Sequence, residues 1–222
     1  MDVKVRFIGH SCFLVEDGKY SLLFDPFITD NPVAAVKASE VNPTHIFVSH
    51  YHGDHKGDAL DIARRTNATI FTTNEIGIEF KKSHDNVVAG HIGGKAKTDF
   101  GSVKYFQAFH GSGIEGGHAC GFIVDVMGKK IYHAGDTGLT RDMELLKKHN
   151  IHVALLPIGD FYTMGPEDAL EAVKMIKPKY VIPMHYNTFP LLKQDPEAFA
   201  KAVTEETFTK VIVLNPGDQV EL

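Results

Sequence analysis

At 222 residues, 43% hydrophobic and 23% charged, the chain is long enough to bury a substantial core and has an ordinary globular composition. Its net charge of −5 offers no general attraction to nucleic acid or to an anionic membrane surface. No apolar run approaches the ~20 residues that span a bilayer, and Cys12 and Cys120 are too far apart to form a metal-type pair, which suits free buried thiols.

Met1 to Val5 alternates and starts a strand; it is not a signal peptide, and a cytoplasmic location is the simplest expectation. Val3–Ile8, Cys12–Val15 and Tyr20–Phe24 are three apolar runs separated by Gly9-His10-Ser11 and by Glu16-Asp17-Gly18-Lys19, the pattern of a β-meander. His10 sits on the first of these turns and Asp25 closes the third strand. Asn31 to Pro43 reads as irregular chain or short helix.

Ile46-Phe47-Val48 reads as a buried strand, and the loop that leaves it is followed by a helix over Ala59–Arg65. Ala68–Thr72 is a strand, Glu75–Lys82 a short helix, and Asn86–Ala89 leads into the glycine-rich His91-Ile92-Gly93-Gly94. Val103–Phe109 is a strand ending at His110-Gly111-Ser112-Gly113, where the glycines let the chain turn beneath a ligand. Ala119–Met127 and Lys130–His133 form a hairpin about Gly128, followed by Gly135-Asp136-Thr137. Beyond this, helix and strand alternate. Leu139–His149 is helical with Leu145 and Leu146 on its apolar face, and Val153–Pro157 is a buried strand. Pro166–Lys177 is a helix with proline and acids in its first turn. Tyr180–Met184 is a strand delivering His185, Pro196–Thr204 the last helix, and Val211–Leu214 a strand before a final turn and short strand. With no linker, composition shift or repeat, residues 1–222 read as one domain.

The densest chemistry lies in Ser49-His50-Tyr51-His52-Gly53-Asp54-His55, where three imidazoles and a carboxylate fall within six positions. Imidazole nitrogen and carboxylate oxygen suit borderline and hard divalent cations. His50 and His52 can point one way from extended chain, while Asp54 and His55 turn away toward a second ion. Further candidates stand where apolar strands meet loops: His110, Asp136 and His185.

This H-x-H-x-D-H pattern, with a later histidine, an aspartate in a Gly-Asp context and a last histidine, resembles the metallo-β-lactamase superfamily. Gly9-His10-Ser11-Cys12-Phe13, Phe24-Asp25-Pro26-Phe27 and Pro183-Met184-His185-Tyr186-Asn187-Thr188-Phe189-Pro190 resemble a compact branch of metal-dependent hydrolases related to ascorbate-6-phosphate lactonase. The resemblance implies an α+β fold, a four-layer αββα sandwich of two face-to-face mixed β-sheets with helices outside. It also implies two divalent metal ions: His50, His52 and His110 on one, Asp54, His55 and His185 on the other, Asp136 bridging. Three or more histidines favour zinc, and the two carboxylates also admit manganese or iron. The implied reaction is hydrolysis of a lactone, ester or phosphodiester of a small intracellular substrate by a hydroxide formed between the two ions.

Asp54 and His10 are the expected catalytic residues, His10 facing the pocket as proton donor or substrate contact. Asp25 is a candidate to orient a ligand histidine; His118, His133 and Tyr186-Asn187-Thr188 are further candidates for the pocket. His45, His84, His149 and His152 read as ordinary surface or interior histidines. The expected partner is a small molecule, with nucleic acid disfavoured, no membrane, and a homo-oligomer left open. Two alternatives stand: an RNA-processing phosphodiesterase, which a basic patch would favour, and a non-catalytic metal-binding protein, which bound metal without turnover would favour.

Overall fold

A computed structural model describes residues 2–222; Met1, the first residue of the expected N-terminal run, lies outside them. Two mixed sheets of seven strands face each other. The first contains β1 (Lys4–Gly9), β2 (Cys12–Glu16), β3 (Ser21–Phe24), β4 (His45–Phe47), β5 (Thr69–Thr73), β6 (Val87–Gly90) and β14 (Gln219–Glu221), in the order β14-β1-β2-β3-β4-β5-β6. The second contains β7 (Lys95–Thr98), β8 (Gly101–Gln107), β9 (Cys120–Val126), β10 (Lys129–His133), β11 (Val153–Pro157), β12 (Tyr180–Met184) and β13 (Lys210–Val211), ordered β13-β12-β11-β10-β9-β8-β7. The expected meander is present, antiparallel from β1 to β3, and the sheet becomes parallel from β3 to β6.

Alternate residues of the first sheet serve two cores, which is why its strands read as continuous apolar runs. Phe7, Phe13, Phe24, Phe47 and Phe71 face the second sheet. Phe24 and Phe47 are register partners and stack at 4.6 Å, and Phe47 and Phe71 do so at 5.1 Å. Ile8, Leu14, Leu23, Ile46 and Ile70 face the other way, beneath α2 (Ala59–Thr66) and α3 (Asn74–Lys81). On the second sheet, α4 (Pro166–Ile176) and α5 (Pro196–Glu206) contribute Ala169, Val173, Phe199 and Val203 to the main core. Helices therefore cover both outer faces, as expected.

Three local expectations are corrected. Leu139–His149 is a 3₁₀ segment over Arg141–His149, and its buried residues, Met143 and Leu146, are three apart, the repeat of that helix; Leu145 is 51% exposed. β7 was not anticipated, because Lys95-Ala96-Lys97-Thr98 carries no apolar pattern; it is a lysine-bearing edge strand paired with β8. β8 ends at Gln107, leaving Phe109 outside the strand and 71% exposed.

The topology decides where the loops go. β1, β3 and β4 run in one direction within the first sheet, and β8, β10 and β12 in one direction within the second. The chain leaves these six strands toward His10, Asp25, His50, His110, Asp136 and His185, respectively.

Candidate metal centre

The six loops converge at one edge of the two sheets. Between His52 and Gly57 the chain winds into a single helical turn, α1 (Gly53–Lys56), which turns Asp54 and His55 inward. Gly57 makes that turn tolerable: its φ is +34°, and a Cβ there would lie 2.3 Å from the Pro26 carbonyl oxygen. His10, Asp25 and His185 also hold left-handed backbone, with φ of 59°, 40° and 57°. Three such conformations in non-glycine residues at one site are strain retained where the surroundings dictate it.

Donor atoms of His50, His52 and His110 lie within 4.8 Å of one another, as do those of Asp54, His55 and His185, joined by His10. A third such group, His50, His55 and Asp136, links the two. Asp136 is central. Its Oδ1 is 3.1 Å from His55 Nε2, and its Oδ2 is 3.1 Å from His185 Nε2 and 3.6 Å from His110 Nε2. All seven residues expected to hold metal are thus brought together, in the division the family resemblance implies.

A second layer sets the proton positions. Asp25 is buried and accepts from the Ser49 N–H and hydroxyl, both at 2.7 Å. With that hydroxyl proton committed, Ser49 Oγ accepts from His50 Nδ1 at 3.0 Å, which leaves the His50 Nε2 lone pair facing inward. Asp25 Oδ2 also accepts from His55 Nδ1 at 2.7 Å, with the same consequence. Asp25 therefore orients ligand histidines as expected, and Ser49, directly before the motif, is the partner that the sequence reading missed.

Charge follows from this geometry. Burial pushes the His50 imidazole well below its usual range, with the nearby His55 ring adding to it. Burial opposes ionisation of Asp136, yet His185 and His55 outweigh it and hold the carboxyl well below the carboxylate range. The same contest, won by His10 and His55, keeps Asp54 ionised. His55 is pushed up against the pull of burial, because Asp136 and Asp25 flank it. The centre therefore calls for positive charge. His55 Nε2, His185 Nε2 and Asp136 Oδ1 are buried without a hydrogen-bond partner among the described residues, although the His55 nitrogen and the Asp136 oxygen are 3.1 Å apart. Two electron-rich atoms at that distance, with no aligned hydrogen bond, are stabilised by a cation between them. The donor set, five imidazoles and two carboxylates, fits a pair of divalent ions.

His10 is placed differently from expectation. Its side chain does not line the open pocket; it is fully buried behind Asp54, under Phe27 and Phe189. Nε2 donates to Asp54 Oδ2 at 3.2 Å and Nδ1 accepts from the Thr188 hydroxyl at 2.8 Å. Burial lowers its pKa to about 4, so it is neutral near pH 7. Its carbonyl also accepts from the His185 N–H at 2.8 Å. Of the segment after His185, only Thr188 touches the centre: Tyr186 packs against the core, and Asn187 braces Gln194. His133 is a peg beneath the site, donating from Nε2 to the Ser11 carbonyl and accepting at Nδ1 from Gly135 N–H. Gly135, with φ of +61° and a virtual Cβ 2.8 Å from Cys120 O, lets the chain bring Asp136 in close. His118 lies outside the centre, in a neighbouring cavity with His110. Gly111-Ser112-Gly113 does turn beneath His52, the Ser112 carbonyl accepting from Tyr51 N–H at 2.7 Å. His45, His84, His149 and His152 lie away from the donor groups.

The mouth of the centre is apolar. Phe109, Phe161, Tyr162, Phe189 and Leu191 are exposed on the loops after β8, β11 and β12. Among the described residues, no helix is long and apolar enough to cross a membrane.

Comparison with known proteins agrees with this geometry. The family model for the beta-lactamase superfamily domain matches residues 4–185. A UPF0173 metal-dependent hydrolase of Symbiobacterium thermophilum is 51% identical over 224 residues, covering 99% of this chain and 100% of the relative. Another, from Natranaerobius thermophilus, is 48% identical over 221 residues, with 99% and 100% covered. Among solved structures, a metallo hydrolase from the hyperthermophilic archaeon Ignicoccus hospitalis superposes with a TM-score of 0.94 at 38% identity, covering 100% of this chain and 99% of that one.

Proposed function

The chain belongs to the metallo-β-lactamase superfamily, among its metal-dependent hydrolases, and we propose that it cleaves an ester-type bond (lactone, ester or phosphodiester) of a small substrate with two divalent cations, zinc foremost. The observation that carries this reading is the buried convergence of seven donors, three of whose atoms have no hydrogen-bond partner. His50, His52 and His110 would hold one ion, Asp54, His55 and His185 the other, with Asp136 between them. When bound, such a pair supplies Lewis acidity, lowering the pKa of a water and polarising the bond under attack.

The protein's own residues do the rest. Asp25 and Ser49 hold His50 and His55 in the tautomer that turns Nε2 inward. Asp54, 32% exposed, is the carboxylate of the centre that reaches solvent, and His10 Nε2 fixes its orientation. It is placed to take a proton as water oxygen bonds to the carbonyl or phosphoryl centre, and to return that proton to the departing oxygen. The apolar mouth excludes bulk water and suits a small, weakly charged substrate. It does not suit a nucleic-acid backbone, which a lysine and arginine stripe would accompany. The same reading places the protein in the cytoplasm, where free buried thiols at Cys12 and Cys120 fit.

The test is hydrolysis of a panel of phosphodiester, lactone and simple ester by zinc- or manganese-loaded protein, with Asp54→Asn alongside. Turnover that disappears in the variant supports the reading, and the preferred bond selects the substrate class. About two ions bound per chain, with no turnover on any member, would favour the non-catalytic alternative.

A further inference from the structure

Two cavities lie beside the centre on its His110 side. One, of about 600 Å³, runs from His110 past Phe109 and Ala108 to Ile92 and His118. The other, of about 280 Å³, is lined by Thr73, Glu75, His91, Ile92 and His118. They share Ile92 and His118, so together they form one groove that begins at a metal-ligand position and ends at a carboxylate. Its near half is apolar. Its far half is held in place by the Thr73 hydroxyl, which donates to the His118 carbonyl at 2.8 Å, and by the turn that closes from Gly94 N–H to the His91 carbonyl at 2.9 Å.

Glu75, in the first turn of α3, is the unexplained group. Its Oε1 accepts from the Asn74 side-chain amide at 3.2 Å. Its Oε2 is shielded from solvent and has no hydrogen-bond partner among the described residues. A shielded carboxylate oxygen without a donor is costly, and native structures place a partner there. The Asn74 amide first, with the nearby His91 and His118 rings adding to it, holds the carboxyl below its usual range, so it is anionic. The trio is not among the residue groups whose donor atoms converge closely enough to hold an ion. Neither cavity is lined by a lysine or arginine that could neutralise Glu75. What is missing is a cationic hydrogen-bond donor with several protons to share among one carboxylate oxygen and two imidazoles.

We infer that the groove from His110 to Glu75 binds the part of the substrate remote from the scissile bond, and that this part is a short apolar chain ending in a primary ammonium. The inference rests on the hydrolase reading for the word substrate, but the subsite can be tested without turnover. The apolar chain lies against Phe109, Ala108 and Ile92. The ammonium donates to Glu75 Oε2 and to the unprotonated nitrogens of His91 and His118.

Full-length zinc-loaded protein is titrated with 6-aminohexan-1-ol, hexan-1-ol and 6-hydroxyhexanoate while the imidazole resonances of His91 and His118 are followed by NMR. The amine is expected to shift both rings saturably, with a Kd at least about tenfold below that of hexan-1-ol, the factor of one charge-assisted hydrogen bond. The carboxylate should bind more weakly than either. Glu75→Gln should bring the amine and the plain alcohol to within about twofold. Equal affinities of the two alcohols for wild-type protein overturn the subsite, whatever the variant does, so the test survives a variant that folds poorly. Ethyl 6-aminohexanoate and ethyl hexanoate form the second arm, where a kcat/KM ratio of about ten should fall toward one in the variant. Ring shifts without turnover of either ester would uphold the subsite and defeat the hydrolase reading; turnover of both esters at equal kcat/KM, with no ring shift, would defeat the subsite alone.

Discussion

Replacing Asp25 by asparagine alters one oxygen of a buried side chain and tests the whole proton arrangement of the centre. In the native protein Asp25 accepts three hydrogen bonds of 2.7 Å, from Ser49 N, Ser49 Oγ and His55 Nδ1. Asparagine keeps one acceptor, best used on the Ser49 N–H, and turns its amide protons toward Ser49 Oγ and His55 Nδ1. The hydroxyl can rotate and accept. The imidazole can accept only as the tautomer carrying its proton on Nε2, the atom 3.1 Å from Asp136 Oδ1. A proton there occupies the position a cation needs. Removing an outer partner of a ligand histidine costs 10- to 100-fold in metal affinity, roughly 1.4–2.8 kcal/mol. Chelator-competition titration with zinc reads the affinity, and the ¹⁵N shifts of His55 read the tautomer. The stabilisation given by saturating zinc, about 2.7 kcal/mol at a hundredfold excess over Kd for the native protein, should shrink by the same increment at fixed zinc concentration. Wild-type zinc affinity in Asp25→Asn, with His55 still protonated on Nδ1, would refute the reasoning.

His10→Ala removes the bonds to Asp54 and Thr188 and leaves a void under Phe27 and Phe189; turnover on the best panel substrate is expected to fall by 10- to 100-fold, and unchanged kcat and KM would remove His10 from the mechanism. Phe47→Ala empties the middle of the stacked Phe24–Phe47–Phe71 ladder and should cost about 3–5 kcal/mol in urea unfolding; a loss below about 1 kcal/mol would mean the ladder carries little of the core. Gly57→Ala puts a methyl 2.3 Å from Pro26 O at a φ of +34°, so a loss of at least about 2 kcal/mol is expected, read as the shift of the thermal midpoint; a midpoint within a degree of wild type would show that the Pro26–Phe27 segment yields freely.

Much of this protein is legible because its signals are local. The apolar runs that become β2, β3, β4, β11 and β12, and the proline-started helices α4 and α5, are read from neighbours a few residues apart. The H-x-H-x-D-H cluster needs no tertiary information to indicate metal chemistry. Where the pattern is weak the reading falters: β7 has two lysines and no apolar stripe, and the segment after Leu139 repeats its buried residues every three positions rather than every three or four.

The sequence by itself determined the ligand types, their placement after strands and the alternation that puts one face of each strand in a core, because these follow from covalent spacing and side-chain period. The tertiary structure alone decided which loops meet. It set His10 behind Asp54 and against Thr188, 178 residues away, tied Ser49 to Asp25, and opened a groove from His110 to Glu75. Those relations depend on how two sheets with parallel and antiparallel halves bring strand ends to a common edge, and no short-range pattern encodes the distance between residues that sit on different sheets.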